Sequence, residues 1–108
     1  MSKQGLVKIV VFVPLANADA VREAVGIVGA GKIGNYTFCS FSSRGVGRFK
    51  PGEGSHPAIG SVDKLESVEE ERIEFVCDRD KVKEVIVEIK KVHPYEEVAL
   101  DVYPLEDF

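Results

Sequence analysis

At 108 residues, 44% hydrophobic and 30% charged, the chain has the size and composition of one globular folding unit, which argues against a disordered chain or a fibrous repeat and leads to the expectation of a single domain. The net charge is -4 and the lysines and arginines are scattered, so the field around the protein disfavours a phosphate backbone and nucleic acid is not an expected partner. The longest apolar run, Ile9 to Val13, is far short of the roughly 20 residues that cross a bilayer, and no leader-type apolar segment opens the chain, so no membrane partner and a cytoplasmic location are expected.

The segment Val7 to Val13 is dense in β-branched residues and ends at Pro14, which predicts a strand apolar on both faces. A helix follows. Asn17 can cap it, Asp19 complements its dipole, Val21, Ala24, Val25 and Val28 form its buried stripe, and Gly29 and Gly31 end it. Tyr36 to Ser43 reads as a second strand with two different faces. Gly45, Gly47, Gly52, Gly54 and Gly60, with Pro51 and Pro57, then predict a long turning excursion between strands two and three that is neither helix nor long strand.

Glu71 to Cys77 alternates as a third strand, with Ile73, Phe75 and Cys77 on one face. From Asp78 a second helix carries Val82, Val85, Ile86, Ile89 and Val92 at three-four spacing, and Pro94 stops it by forcing His93 out of helical geometry. Val98 to Tyr103 alternates as the last strand. Strand, helix, strand, strand, helix, strand is the ferredoxin-like βαββαβ plan of the α+β class, with both helices on one face of an antiparallel sheet. The other face would hold Lys8, Val10 and Phe12, too apolar to stand in water. Either subunits associate through it, or the Gly-rich excursion folds back over it.

Familiar catalytic and cofactor patterns are missing. Gly29-Ala30-Gly31-Lys32-Ile33-Gly34 matches G-x-G-x-x-G but follows a helix instead of opening one, so it is not a dinucleotide fingerprint. There is no phosphate loop, no HExxH pair and no nucleophile elbow. Cys39 and Cys77 lack CxxC spacing and are expected to be reduced thiols. A divalent metal is the one cofactor candidate, held by His93 and Glu96 together with Cys39 or with His56 of a neighbouring chain; the alternative is that His93 anchors its turn through bonds to backbone.

Three stretches together resemble a known family: Gly31-Lys32-Ile33-Gly34-Asn35-Tyr36 with Cys39-Ser40-Phe41-Ser42; Gly45-Val46-Gly47-Arg48-Phe49-Lys50-Pro51 with Pro57-Ala58-Ile59-Gly60; and His93-Pro94-Tyr95-Glu96-Glu97-Val98. They are similar to the CutA/PII-like domain inserted in YqfO-type dinuclear-metal proteins, which are related to the NGG-interacting factor. The resemblance runs from about Val7 to Pro104 and implies a single CutA/PII-like domain over residues 1–108, assembled as a homotrimer, without the larger domain that carries the family's metal pair. His93-Pro94-Tyr95-Glu96 also resembles a motif of the CutA proteins, which are linked to divalent-metal tolerance; this chain continues Glu97-Val98-Ala99 where CutA has Val-Pro-Glu.

The expected function is a stand-alone, non-enzymatic ligand-binding or regulatory module that takes a small-molecule or anionic ligand between subunits. Gly31, Gly34, Asn35, Tyr36, His93, Tyr95 and Glu96 are the expected lining of one inter-subunit cleft, because polar side chains on such turns are often functional and glycines let backbone N–H groups approach a ligand. Two alternatives stand beside it: a divalent-metal-binding protein of CutA type, and a docking subunit for a separately encoded dinuclear-metal domain.

Overall fold

The computed structural model describes residues 3–108, so the first two residues of the expected 1–108 domain lie outside it. Six elements follow one another: β1 (Leu6–Pro14), α1 (Ala18–Ile27), β2 (Phe41–Phe49), β3 (Glu66–Asp78), α2 (Val82–Val92) and β4 (Leu100–Pro104). They form one four-stranded sheet in the order β2-β3-β1-β4, with every neighbouring pair antiparallel. This is the ferredoxin-like plan. The apolar central strand β1 is buried on both faces, as its run of valines and isoleucines demands.

Val7, Ile9, Val11 and Val13 of β1 meet Ile73, Phe75 and Cys77 of β3, and both helices lie on this face through Val21, Val25, Val85 and Ile89. Each fully buried side chain of this size contributes about 1.5–3 kcal/mol. Gly29, at φ 95°, turns the chain after α1, and Lys81 Nζ donates to the Val28 carbonyl at 3.3 Å, satisfying an orphan helix acceptor.

Local expectations fail where pairing decides. Asn17 makes no capping bond, because α1 continues from a 3-10 turn, Leu15–Asn17; likewise Asp78 ends β3, and a second such turn, Arg79–Lys81, leads into α2. The second strand is not Tyr36 to Ser43 but Phe41–Phe49, and it runs straight through Gly45 and Gly47. β3 likewise begins at Glu66 rather than Glu71, and β4 at Leu100 rather than Val98. Gly45 pairs with Glu70 and Gly47 with Val68, and a Cβ on Gly47 would overlap the Glu70 carboxylate. The strand glycine therefore makes room for a neighbouring side chain.

On the open face, one of the two expected covers is present at one end. Val10 is only 1% exposed, flanked by Lys8, which pairs with Glu74 at 3.3 Å, and by Phe12, whose ring lies under the Arg72 guanidinium at 5.8 Å. The loop 50–65 folds back over the Phe12 end, so that Pro51, Pro57 and Ile59 face Phe12 across a cleft. Phe41 and Tyr103, opposite Glu74 and Lys8 respectively, remain exposed on this face.

Candidate functional site

The cleft encloses about 360 Å³ and has three walls: Phe12 and Ala99 with the end of β2, Gly47 to Phe49, at the sheet; Lys50, Pro51 and Pro57 to Ile59 from the returning loop; and Tyr95 to Glu97 from the α2–β4 turn. Pro94 sets that turn. His93 is extended at φ -85°, ψ 135°, which ends α2 and aims the ring back at the sheet.

Both nitrogens of His93 are engaged. Nδ1 accepts the Tyr95 N–H at 3.1 Å, so Nε2, 2.7 Å from the Phe12 carbonyl, carries the proton and donates it. The ring thus ties the end of α2 to β1 through backbone. Tyr95 then packs edge-on against Phe49, with ring centroids 5.7 Å apart, and its hydroxyl donates to Glu70 Oε2 at 2.9 Å. Glu70 is 8% exposed, and the tyrosine is the partner that makes this burial tolerable. Glu96 closes the cleft from outside: both its carboxylate oxygens accept the His56 N–H, at 3.1 and 3.2 Å, which pins the returning loop to the α2–β4 turn.

Burial first, then the bond to Glu70 and the charges of Glu70 and Glu66, hold the Tyr95 phenol protonated well above the usual tyrosine range. The folded state therefore keeps a proton that the unfolded chain begins to lose near pH 10. Stability from this group is complete below about pH 10 and falls as pH rises beyond it. Tyr95→Phe is expected to cost about 1–2 kcal/mol at neutral pH, and urea unfolding midpoints measured from pH 8 to 11 should show a shallower alkaline decline in the variant.

A second cleft, of about 350 Å³, lies between α1 and the segment before β2, lined by Arg22, Gly26, Phe38 and Cys39 among others. Arg22 donates to Glu71 and to Asp19, each at 2.6 Å, and to the Ser42 hydroxyl at 3.1 Å; Glu71 and then Asp19 hold its guanidinium charged. Its role is to clamp α1 to the sheet. The thiols of Cys39 and Cys77 are free, and burial pushes the Cys77 thiol up.

The expected site residues are not all brought together. His93, Tyr95 and Glu96 cluster at the first cleft. Gly31, Gly34, Asn35 and Tyr36 form a flap at the other end of β3, where Gly31 N–H donates to the Val76 carbonyl at 2.7 Å. Glu70 and Val76 lie six residues apart on β3, about 20 Å at 3.4 Å per residue, so within one protomer the two groups line no common cleft. Nor does one protomer join the proposed metal ligands: Cys39 lines the second cleft and Glu96 the first, and both His93 nitrogens are occupied. Among the described residues no group of three or more His, Cys, Asp or Glu is placed to hold a metal ion.

Phe12 and Glu70 are the lining residues that the motifs do not contain, whereas Gly47 and Phe49 belong to the Gly45–Gly60 stretch expected to line the cleft. Alternation carried back from Glu74 and Arg72 puts Glu70 on the same face, which was the available signal.

The fold is the small α+β, ferredoxin-like fold that CutA and PII also have. The CutA protein of Archaeoglobus fulgidus superposes with a TM-score of 0.67 at 20% identity, over 94% of this chain and 84% of that one. Arabidopsis thaliana PII, in a structure bound to citrate, gives 0.59 at 21%, over 94% and 78%. Sequence similarity points further. A GTP cyclohydrolase 1 type 2 homolog of Halalkalibacterium halodurans is 51% identical over 102 residues, covering 94% of this chain and 27% of the relative. A Bacillus cereus protein related to NIF3 superposes with a TM-score of 0.82 at 48% identity, over 94% of this chain and 26% of that one. These matches support kinship with the NIF3-related proteins, although the chain spans only about a quarter of their length. No family model matches. Among the described residues no helix is long and apolar enough to cross a membrane.

Proposed function

We propose that the chain is the counterpart of the CutA/PII-like domain inserted in YqfO-type proteins, acting as a homotrimeric, non-enzymatic module that binds a small ligand in the first cleft. The observation that carries this reading is a largely apolar cleft roofed by a loop that one carboxylate pins shut. Binding is favoured over catalysis because the buried and turn-forming polar groups at the cleft hold partners: Glu70 has Tyr95, Glu96 has the His56 N–H, and His93 has two backbone groups. Arg48 and Lys50, set among Glu70, Glu96 and Glu97 on the lining, are the cations open to an anionic group of a ligand whose apolar body fills the cleft.

The trimer is what the resemblance to CutA and PII implies, and the exposed Phe41 and Tyr103 on the sheet's open face leave apolar surface for it. Light scattering with size exclusion is expected to give three times the 11.8 kDa chain mass. A monomer at micromolar concentration would remove the trimer from the proposal.

A thermal-shift series with ATP, inorganic phosphate, citrate and divalent metals tests the cleft. At least one anion is expected to raise the melting temperature, and Tyr95→Ala combined with Glu96→Ala should abolish that rise while leaving the assembly mass unchanged. A rise that survives in the double variant would sink the assignment of the cleft.

A further inference from the structure

The first and last of the described residues lie at one place on the fold. Lys3 N–H donates to Asp107 Oδ1 at 3.0 Å, and Leu105 N–H to the Leu6 carbonyl at 3.4 Å, beside the paired strands β1 and β4. The 31–39 flap rises from the same end of the sheet, since its base bonds to Val76, two residues from the Asp78 that pairs with Leu6. At most three strand spacings, about 14 Å at 4.8 Å each, separate it from either chain end.

This flap presents apolar side chains to solvent from a fixed frame. Cys39 N–H closes its base onto the Gly31 carbonyl at 2.8 Å, and Ile33 and Tyr36 exchange both backbone bonds at 3.0 Å. Phe38 holds φ 57°, a left-handed conformation costly for a side chain of its size, with its ring laid on Gly26 where a Cβ would overlap it. Yet Tyr36 is 75% exposed, Phe38 51% and Ile33 43%, and Ile27 at the end of α1 adds 67%. A hydrogen-bonded segment with three exposed apolar side chains, beside a fourth at the end of α1, is shaped for a contact outside this fold.

The lengths of the relatives say what makes that contact. About three quarters of the Halalkalibacterium halodurans chain lies outside the segment that matches this one. Whichever end of the segment that remainder joins, it joins beside the flap. We propose that the flap Ile33–Phe38, with Ile27, is the seat on which rests a larger domain of the kind that makes up the remainder of those relatives. The surface is separate from the ligand cleft, so either assignment can fail alone.

Hydrogen exchange of the flap amides tests it. In a graft that puts this chain in place of the matching segment of the Halalkalibacterium relative, exchange over residues 32–38 is expected to be about tenfold slower than in the isolated chain. Tyr36→Lys should return the graft to the isolated rate while leaving the melting temperature of the isolated chain unchanged. The intact relative, measured over its aligned segment, should show the same slow exchange and keeps the test decisive should the graft fail to fold. Equal rates in the intact relative and the isolated chain would overturn the proposal. So would flap protection that grows with the concentration of the isolated chain alone, which would make the surface a contact between copies.

Discussion

Truncating Ile9 to alanine is expected to cost about 4 kcal/mol, the upper part of the range for a large side chain removed from a packed interior. Ile9 is fully buried in the central strand, pairing with Phe75 on one side and Val102 on the other, with both helices packed over its face. The surroundings cannot collapse into the void without moving two strands, so most of the cavity penalty persists. Against a total of about 5–15 kcal/mol for a domain of this size, such a loss leaves little stability. Urea unfolding should show a lower midpoint with an unchanged slope. Val87→Ala, on the half-exposed face of α2, should shift the midpoint hardly at all. Equal effects at the two positions would refute the placement of the core.

Replacing Gly31 with alanine is expected to cost about 2–3 kcal/mol and to lower the melting temperature by roughly 10–15 °C. Two penalties combine there. Gly31 holds φ 77°, where a side chain is strained, and a Cβ would stand 2.5 Å from the Cys39 carbonyl oxygen, a backbone atom that the flap's own bonds fix in place. Gly34→Ala separates the two penalties. Its φ is 58° but nothing lies within 4 Å of the added methyl, so only the backbone strain of about 1 kcal/mol should appear. Calorimetric scans of the two variants side by side measure the difference, and a Gly31→Ala protein as stable as Gly34→Ala would show that the flap base is not closed as described.

The sequence was legible where local periodicity and burial agree. β1, both helices and the alternation of Ile73, Phe75 and Cys77 follow from spacing alone, because each carries its own apolar pattern. β2 was hidden because Gly45 and Gly47 carry no pattern, and the glutamates 69–71 that extend β3 have low strand preference. Pairing between the two strands overrides both propensities. The same reason governs the site. His93, Tyr95 and Glu96 stand out beside a proline that ends a helix, whereas Glu70 and Phe12 become site residues only once the register sets them on one face. The distance between the flap glycines and the cleft within one protomer follows only from the strand register, because residue type carries no distance.

β2 forms one margin of the sheet, and along its nine residues one row of backbone donors and acceptors faces no strand. Its exposed side chains include the apolar Phe41 and Val46. Such a margin is a template on which another copy can lengthen the sheet without any fixed stopping point. A closed ring of subunits would cap that growth, so a variant engineered to stay single would trade a finite assembly for an open-ended one, precipitating as it is concentrated instead of remaining a smaller soluble particle.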